Sequence, residues 1–283
     1  MNLDALPYTS FIVLIEFCVG SLLVCMLADW RGNVTPGFLK LSAAMVATGA
    51  VVLLLNALVL DPKSVIGGYR LEDSILTWVK VATVVFLATT LPYFWYVMQE
   101  DKRRSMLAGG ISLITGVVLI GLVSYYVSLP TWGFFGVMLS VLAGTLAVGG
   151  VVLAMTLGHW YLTTPRLSKQ PLQEITLLLL AAIALQAVLL VINVIIPVRE
   201  APDATAFLGS SDLGANPAFW LRIAIGMLFA AALTSMAYVS SKGYPQNDMA
   251  MMSATGLLYI AVGAVLVGEV LARGLLFLTG VPV

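Results

Sequence analysis

Eight long apolar stretches leave this chain little choice of fold. They run roughly over 7–28, 38–60, 74–98, 105–128, 133–162, 172–197, 217–240 and 250–277. A helix needs about 20 apolar residues to cross the hydrocarbon core of a bilayer. In lipid the backbone of such a stretch must satisfy its own hydrogen bonds, which in a single long segment only a helix does. Turn or charge signals separate the stretches: Gly32, Pro36, Asp61-Pro62, Glu100 to Arg104, Pro130, Pro165, Pro171, Pro202 and Pro245. With 60% hydrophobic and 10% charged residues among 283, and a mean hydropathy of +1.02, polar surface is too scarce for a water-soluble globule, where about 25% of residues are charged. The expectation is an all-α integral membrane protein with eight transmembrane helices.

The eight segments divide into two sets of four. Ala147 to Pro165 lies over Cys18 to Pro36, with matches at Val148/Val19, Gly149/Gly20, Met155/Met26, Thr164/Thr35 and Pro165/Pro36. Further on, Trp78-Val79-Lys80-Val81 recurs as Trp220-Leu221-Arg222-Ile223, and the segment from Gly116 to Gly121 recurs from Gly263 to Gly268. Three matches in one order point to a duplication. Four helices are an even number, so both copies enter the membrane in the same direction, as a parallel repeat. Two four-helix bundles are expected, over 1–130 and 131–283. Small residues such as Gly20-Ser21, Ala108 to Gly110 and Gly144 to Gly150 suit close helix packing.

Fourteen basic and fourteen acidic residues give no net charge, which argues against a nucleic-acid surface. Cys18 and Cys25 share a helix and read as small apolar side chains, not half of a disulfide or metal site. No removable signal peptide is expected, because no basic region followed by a short apolar core and small-residue cleavage site opens the sequence. Loops after the odd-numbered helices carry Arg31, Lys40, Lys102, Arg103, Arg104, Arg166, Lys169 and Lys242, against Lys63, Arg70 and Arg199 on the other side. The basic side faces the cytoplasm by the usual rule, so both termini are expected outside an inner (plasma) membrane, beside a mildly acidic loop with Glu200, Asp203 and Asp212.

Ionisable groups inside the bilayer carry the functional signal, because each costs about 2.5–3.5 kcal/mol to insert. Glu16 falls mid-helix one turn before Gly20, and reads either as a protonated helix tie or as a participant in proton or quinol chemistry. Lys80 and Arg222 hold matching places two residues after a tryptophan, either snorkelling to the interface or serving a ligand. Glu269 and Arg273 have the i, i+4 spacing of a helical ion pair, and their counterparts in the first copy are Leu122 and Tyr126. Asn56, Gln186 and Asn193 are amides suited to gluing helices or holding a carbonyl-bearing ligand. His159, with Trp160 and Tyr161, marks a helix end, as an interfacial anchor, a haem ligand or a docking contact. As the single histidine it excludes a bis-histidine haem within the chain, but not a histidine–methionine one. An apolar site with a few acids and bases suits a quinone head group better than a charged solute.

Gly268-Glu269-x-x-x-Arg273 in the last helix and Glu16-x-x-Val19-Gly20 in the first, on eight helices in two bundles, resemble the NrfD and DMSO-reductase-anchor (polysulfide reductase membrane subunit) superfamily. The chain departs from some members in having no histidine in an early helix. The resemblance implies a subunit with no redox centre of its own that exchanges electrons between membrane quinol and an iron–sulfur partner, with catalysis in further subunits. It implies a quinone site, menaquinone or ubiquinone, mainly in the first bundle, and brings Glu16 and Lys80 forward as its residues. A haem-binding electron carrier using His159, a small-solute transporter and a structural subunit of a membrane assembly stand as alternatives. Lipid is the surrounding partner in every case.

Overall fold

The computed structural model describes residues 3–66, 69–127, 132–164, 167–196, 213–242 and 248–283. Eight helices in it are long and apolar enough to cross a membrane. They are α1 (Leu6–Arg31), α2 (Pro36–Leu58), α3 (Leu76–Met98), α4 (Lys102–Val127), α5 (Trp132–Thr163), α6 (Gln170–Ile195), α7 (Pro217–Ser241) and α8 (Asp248–Thr279). The protein is therefore an all-α multi-pass membrane protein. A two-residue hairpin, β1 (Val65–Ile66) with β2 (Tyr69–Arg70), decorates the connection between α2 and α3. The turn signals at Pro130, Pro165, Pro202 and Pro245, the loop charges Arg166, Arg199, Glu200, Asp203 and Asp212, and the Arg70 side chain lie outside the described residues.

Local chemistry sets the helix ends. Gly32 closes α1 in the left-handed region, φ 73°, and its amide reaches the carbonyls of Ala28 and Asp29. Thr35 caps α2 by accepting from the Phe38 amide at 3.4 Å, with Pro36 at the first helical position, where its missing N–H costs nothing. Asn216 and Pro217 repeat that device at α7, Asn216 Oδ1 accepting from the Ala218 amide at 3.0 Å. From Arg222 to Phe229 the backbone of α7 is wound as a π-helix. Such windings concentrate at functional sites.

The helices α1 to α4 pack around one another, as do α5 to α8, and the two groups meet along α1 and α5. Within their most apolar windows α1 and α5 are 72% and 78% buried, against 28–44% for the other six, so these two helices form the centre. Gly20 and Gly149 touch there backbone to backbone, and a methyl group on Gly20 would collide with the Thr145 carbonyl. Elsewhere Leu55, Ile114, Leu177, Val188 and Val239 are among many exposed large apolar residues, as a lipid-facing surface requires. Hydroxyl pairs knit α3 to α4, Thr89 to Thr115 at 3.0 Å and Thr90 to Ser112 at 2.8 Å.

Contacts between helix ends define two faces. On the first, Lys63 pairs with Asp4 at 2.8 Å, the Tyr8 hydroxyl donates to the Asp61 carbonyl, and Tyr8 lies 6.1 Å from both Tyr126 and Phe277. The start of α1 and the end of α8 therefore share a face. On the other, Lys40 pairs with Glu100 at 2.7 Å, Lys102 with Asp29 at 3.7 Å and Arg31 with Glu174 at 3.8 Å, while Gln173 Nε2 donates to the Ser241 carbonyl at 3.0 Å.

Candidate functional site

Four charged side chains from three helices meet in the protein's interior. Glu16 comes from α1, Arg222 from α7, and Glu269 and Arg273 from α8; each is at most 1% exposed. Arg273 is the hub. Its Nε and Nη2 approach Glu16 Oε1 at 2.8 and 2.7 Å, and Nη2 also reaches Glu269 Oε2 at 3.0 Å. Its remaining hydrogen bonds go to α5, with Nη1 donating to Ser140 Oγ at 3.2 Å and Nη2 to the Ser140 carbonyl at 3.1 Å. On the far side of Glu269, Arg222 Nη2 stands 3.1 Å from Oε1, and Gln186 Nε2 of α6 donates to the same oxygen at 2.6 Å.

The network exists because α5 leaves room for it. A Cβ on Gly144 would come within 2.5 Å of Glu16 Oε1 and 2.7 Å of both Arg273 Nη2 and Glu269 Oε2. Two acids and two bases balance, which makes burial tolerable, since an unpaired ion in such surroundings costs several kcal/mol. Three polar atoms of the network have no hydrogen-bond partner among the described residues: Glu16 Oε2, Arg222 Nε and Arg222 Nη1. Arg222 Nη1 lies where α7 and α8 touch at Gly226 and Gly268.

One helical turn closer to the face with the termini is a small apolar pocket. Tyr8, Phe11 and Ile12 line it from α1, Tyr126 from α4 and Phe277 from α8. Ile12 precedes Glu16 by four residues and Phe277 follows Arg273 by four, so the pocket lies over the Glu16–Arg273 pair on both helices. The Tyr8 and Tyr126 hydroxyls reach the backbone of the α2–α3 connection, at Asp61 and, at 3.4 Å, Lys63.

The other expected site residues are dispersed. Lys80 is half-buried near the start of α3 and donates to the Leu60 carbonyl at 2.7 Å. It borders the pocket, whose lining includes Leu60 and Val79, but does not join the ionic network. Arg222, its sequence match, departs from the snorkelling alternative: it turns inward because Glu269 stands opposite, a partner the first half lacks at Leu122. Asn56 Nδ2 donates to Ser10 Oγ at 3.2 Å and Asn193 Nδ2 to the Pro282 carbonyl at 3.0 Å, both away from the cluster. His159 is exposed, its Nδ1 2.9 Å from the Tyr259 hydroxyl.

Sequence reasoning missed Ser140, Tyr8 and the π winding, and assigned Gly144 to packing alone. A serine four residues before a glycine carries no ionic signal of its own. Tyr126 was visible only as the aligned counterpart of Arg273. No protein-family model matches the chain, and no curated protein gives a significant match.

Proposed function

We propose that this chain is a quinone-interacting membrane anchor subunit of a respiratory electron-transfer oxidoreductase complex, with catalysis in iron–sulfur and other partner subunits. The observation that carries this reading is the stacking of an apolar, aromatic-walled pocket one helical turn, about 5.4 Å, above a buried carboxylate held by an arginine. Pockets for whole drug-sized ligands occupy about 300–1,000 Å³. This one is far smaller, with room for about one water, so a ring enters as its apolar lining side chains move aside, its tail leaving among lipid-facing side chains. Tyr8, Tyr126 and Lys80 supply polar atoms near its mouth, on loop carbonyls that a ring oxygen would replace. Menaquinone and ubiquinone both fit this chemistry.

A bound quinol supplies two electrons and two protons on oxidation, the electrons passing to the iron–sulfur partner. The residues of this chain seat the ring, Glu16 accepts one of the two protons, and water at the pocket mouth takes the other. Arg273 holds Glu16 in place, and Ile12 and Phe277 line the pocket one helical turn from the pair on α1 and α8. With the basic loops on the cytoplasmic side, the pocket opens toward the outer face of the plasma membrane, where the termini lie.

The test is organic extraction and mass spectrometry of the detergent-purified chain, after its visible spectrum is recorded. Quinone near one per chain, lost when Ile12→Trp fills the pocket, is the expected result. Quinone retained by that variant overturns the pocket. No quinone, with a haem band abolished by His159→Ala, overturns the reading in favour of an electron carrier.

A further inference from the structure

We propose that the two buried carboxylates have divided roles: Glu16 exchanges a proton, Glu269 remains a fixed anion, and Gln186 is the positioning residue that keeps them different. The inference deepens the reading above and rests on it for its purpose, but the division itself is a property of the ionic network.

The argument is a count of donors. Glu269 accepts on both oxygens, from Gln186 Nε2 at 2.6 Å and Arg222 Nη2 at 3.1 Å on Oε1 and from Arg273 Nη2 at 3.0 Å on Oε2. An ionised carboxylate only accepts hydrogen bonds, whereas a protonated one presents a donor. Of about four lone-pair sites on a carboxylate, donors take three at Glu269 and reach both its oxygens, which disfavours a proton there; removal of Gln186 leaves two, the number at Glu16. Hydrogen bonds to the ionised form hold a carboxylate ionised.

Glu16 is arranged otherwise. Arg273 Nε and Nη2 both converge on Oε1, and Oε2 is buried with no partner among the described residues. A proton on Oε2 leaves every one of these contacts in place. The charged groups facing Glu16 are Arg273 and Glu269 of α8 and Arg222 of α7, with Ser140 and Gly144 of α5 completing its surroundings. Proton uptake at Glu16 takes the four-residue network from zero to one positive charge, and release restores neutrality. Where two titratable groups sit in environments of opposite tendency, acid and base roles separate.

Gln186 decides which carboxylate is which. Without its amide, Glu269 Oε1 keeps one donor, and the contrast with Glu16 shrinks.

Infrared difference spectra of the full purified chain between high and low pH test the division. The readout is the high-frequency carbonyl stretch of a protonated carboxyl shielded from water, recorded after quinone has been extracted. One such band is expected in the wild type, absent in Glu16→Gln and retained in Gln186→Leu, where a second titrating carboxyl joins it. A band that survives Glu16→Gln, a wild type without one, or a Gln186→Leu spectrum identical to wild type overturns the proposal. Quinone-free protein that shows the expected bands upholds the division even if no quinone ever binds. Protein that carries quinone as purified but lacks the bands after extraction sinks the division and leaves the quinone reading standing.

Discussion

At the scale of single residues, Arg273 links the two halves of the chain ionically. It spends its guanidinium on Glu16 of α1, Ser140 of α5 and Glu269 of its own helix. Removing one partner of a buried pair leaves an uncompensated charge, at a cost of about 3–5 kcal/mol, whereas exchanging the whole pair for apolar groups is often neutral. Arg273→Leu is therefore expected to lower stability by about 3–5 kcal/mol, and Glu16→Leu combined with Arg273→Leu to lower it by less, with Glu269 still paired to Arg222. Thermal melting of the purified variants in one detergent checks this, and a double variant as unstable as Arg273→Leu alone would show that the pair is not the unit. The i, i+4 spacing made the Glu269–Arg273 pair legible in the sequence. Nothing in spacing says that a glutamate 257 residues away closes on the same arginine.

At the scale of elements, the contact of α1 with α5 rests on the absence of side chains. Gly20 and Gly149 hold matching places in the two aligned segments and meet face to face. In lipid, helices gain little from hydrophobic association, so close backbone approach and interhelical polar contacts must carry the packing. Gly149→Leu is expected to cost more than the about 1–3 kcal/mol typical of overpacking, because the obstacle is the Gly20 backbone and not a movable side chain. Gel filtration and melting would reveal it as aggregation or early unfolding, and a fully folded variant would sink this account of the contact. Gly144→Ala, one turn along the same helix, is expected to disturb the ionic network instead, through the 2.5 Å approach to Glu16 Oε1. The glycine clusters were legible as packing sites from composition alone. That one of them makes space for charge was not, since the same missing side chain serves either end.

At the scale of the whole molecule, the arrangement is two groups of four helices with both chain ends on one face. The native cysteines are buried and silent to aqueous reagents, so single cysteines introduced at exposed Ser74 and Lys242 report the two sides. In sealed right-side-out vesicles, a membrane-impermeant thiol reagent is expected to label Ser74→Cys and spare Lys242→Cys. The reverse pattern would invert the proposed orientation and place the pocket mouth at the cytoplasmic face. Helix number, approximate helix limits and the positions of the buried charges follow from local sequence, because lipid makes every spanning segment satisfy its own backbone and makes each polar side chain conspicuous. Which charges meet did not follow: Lys80 and Arg222 are aligned and chemically alike, yet one binds a loop carbonyl and the other enters the core. That choice depends on what the neighbouring helix presents, a carbonyl of Leu60 in one case and the carboxylate of Glu269 in the other. Only the packing of all eight helices brings those partners within reach, since Coulomb and hydrogen-bond energies are decided by ångströms of separation that no local pattern encodes.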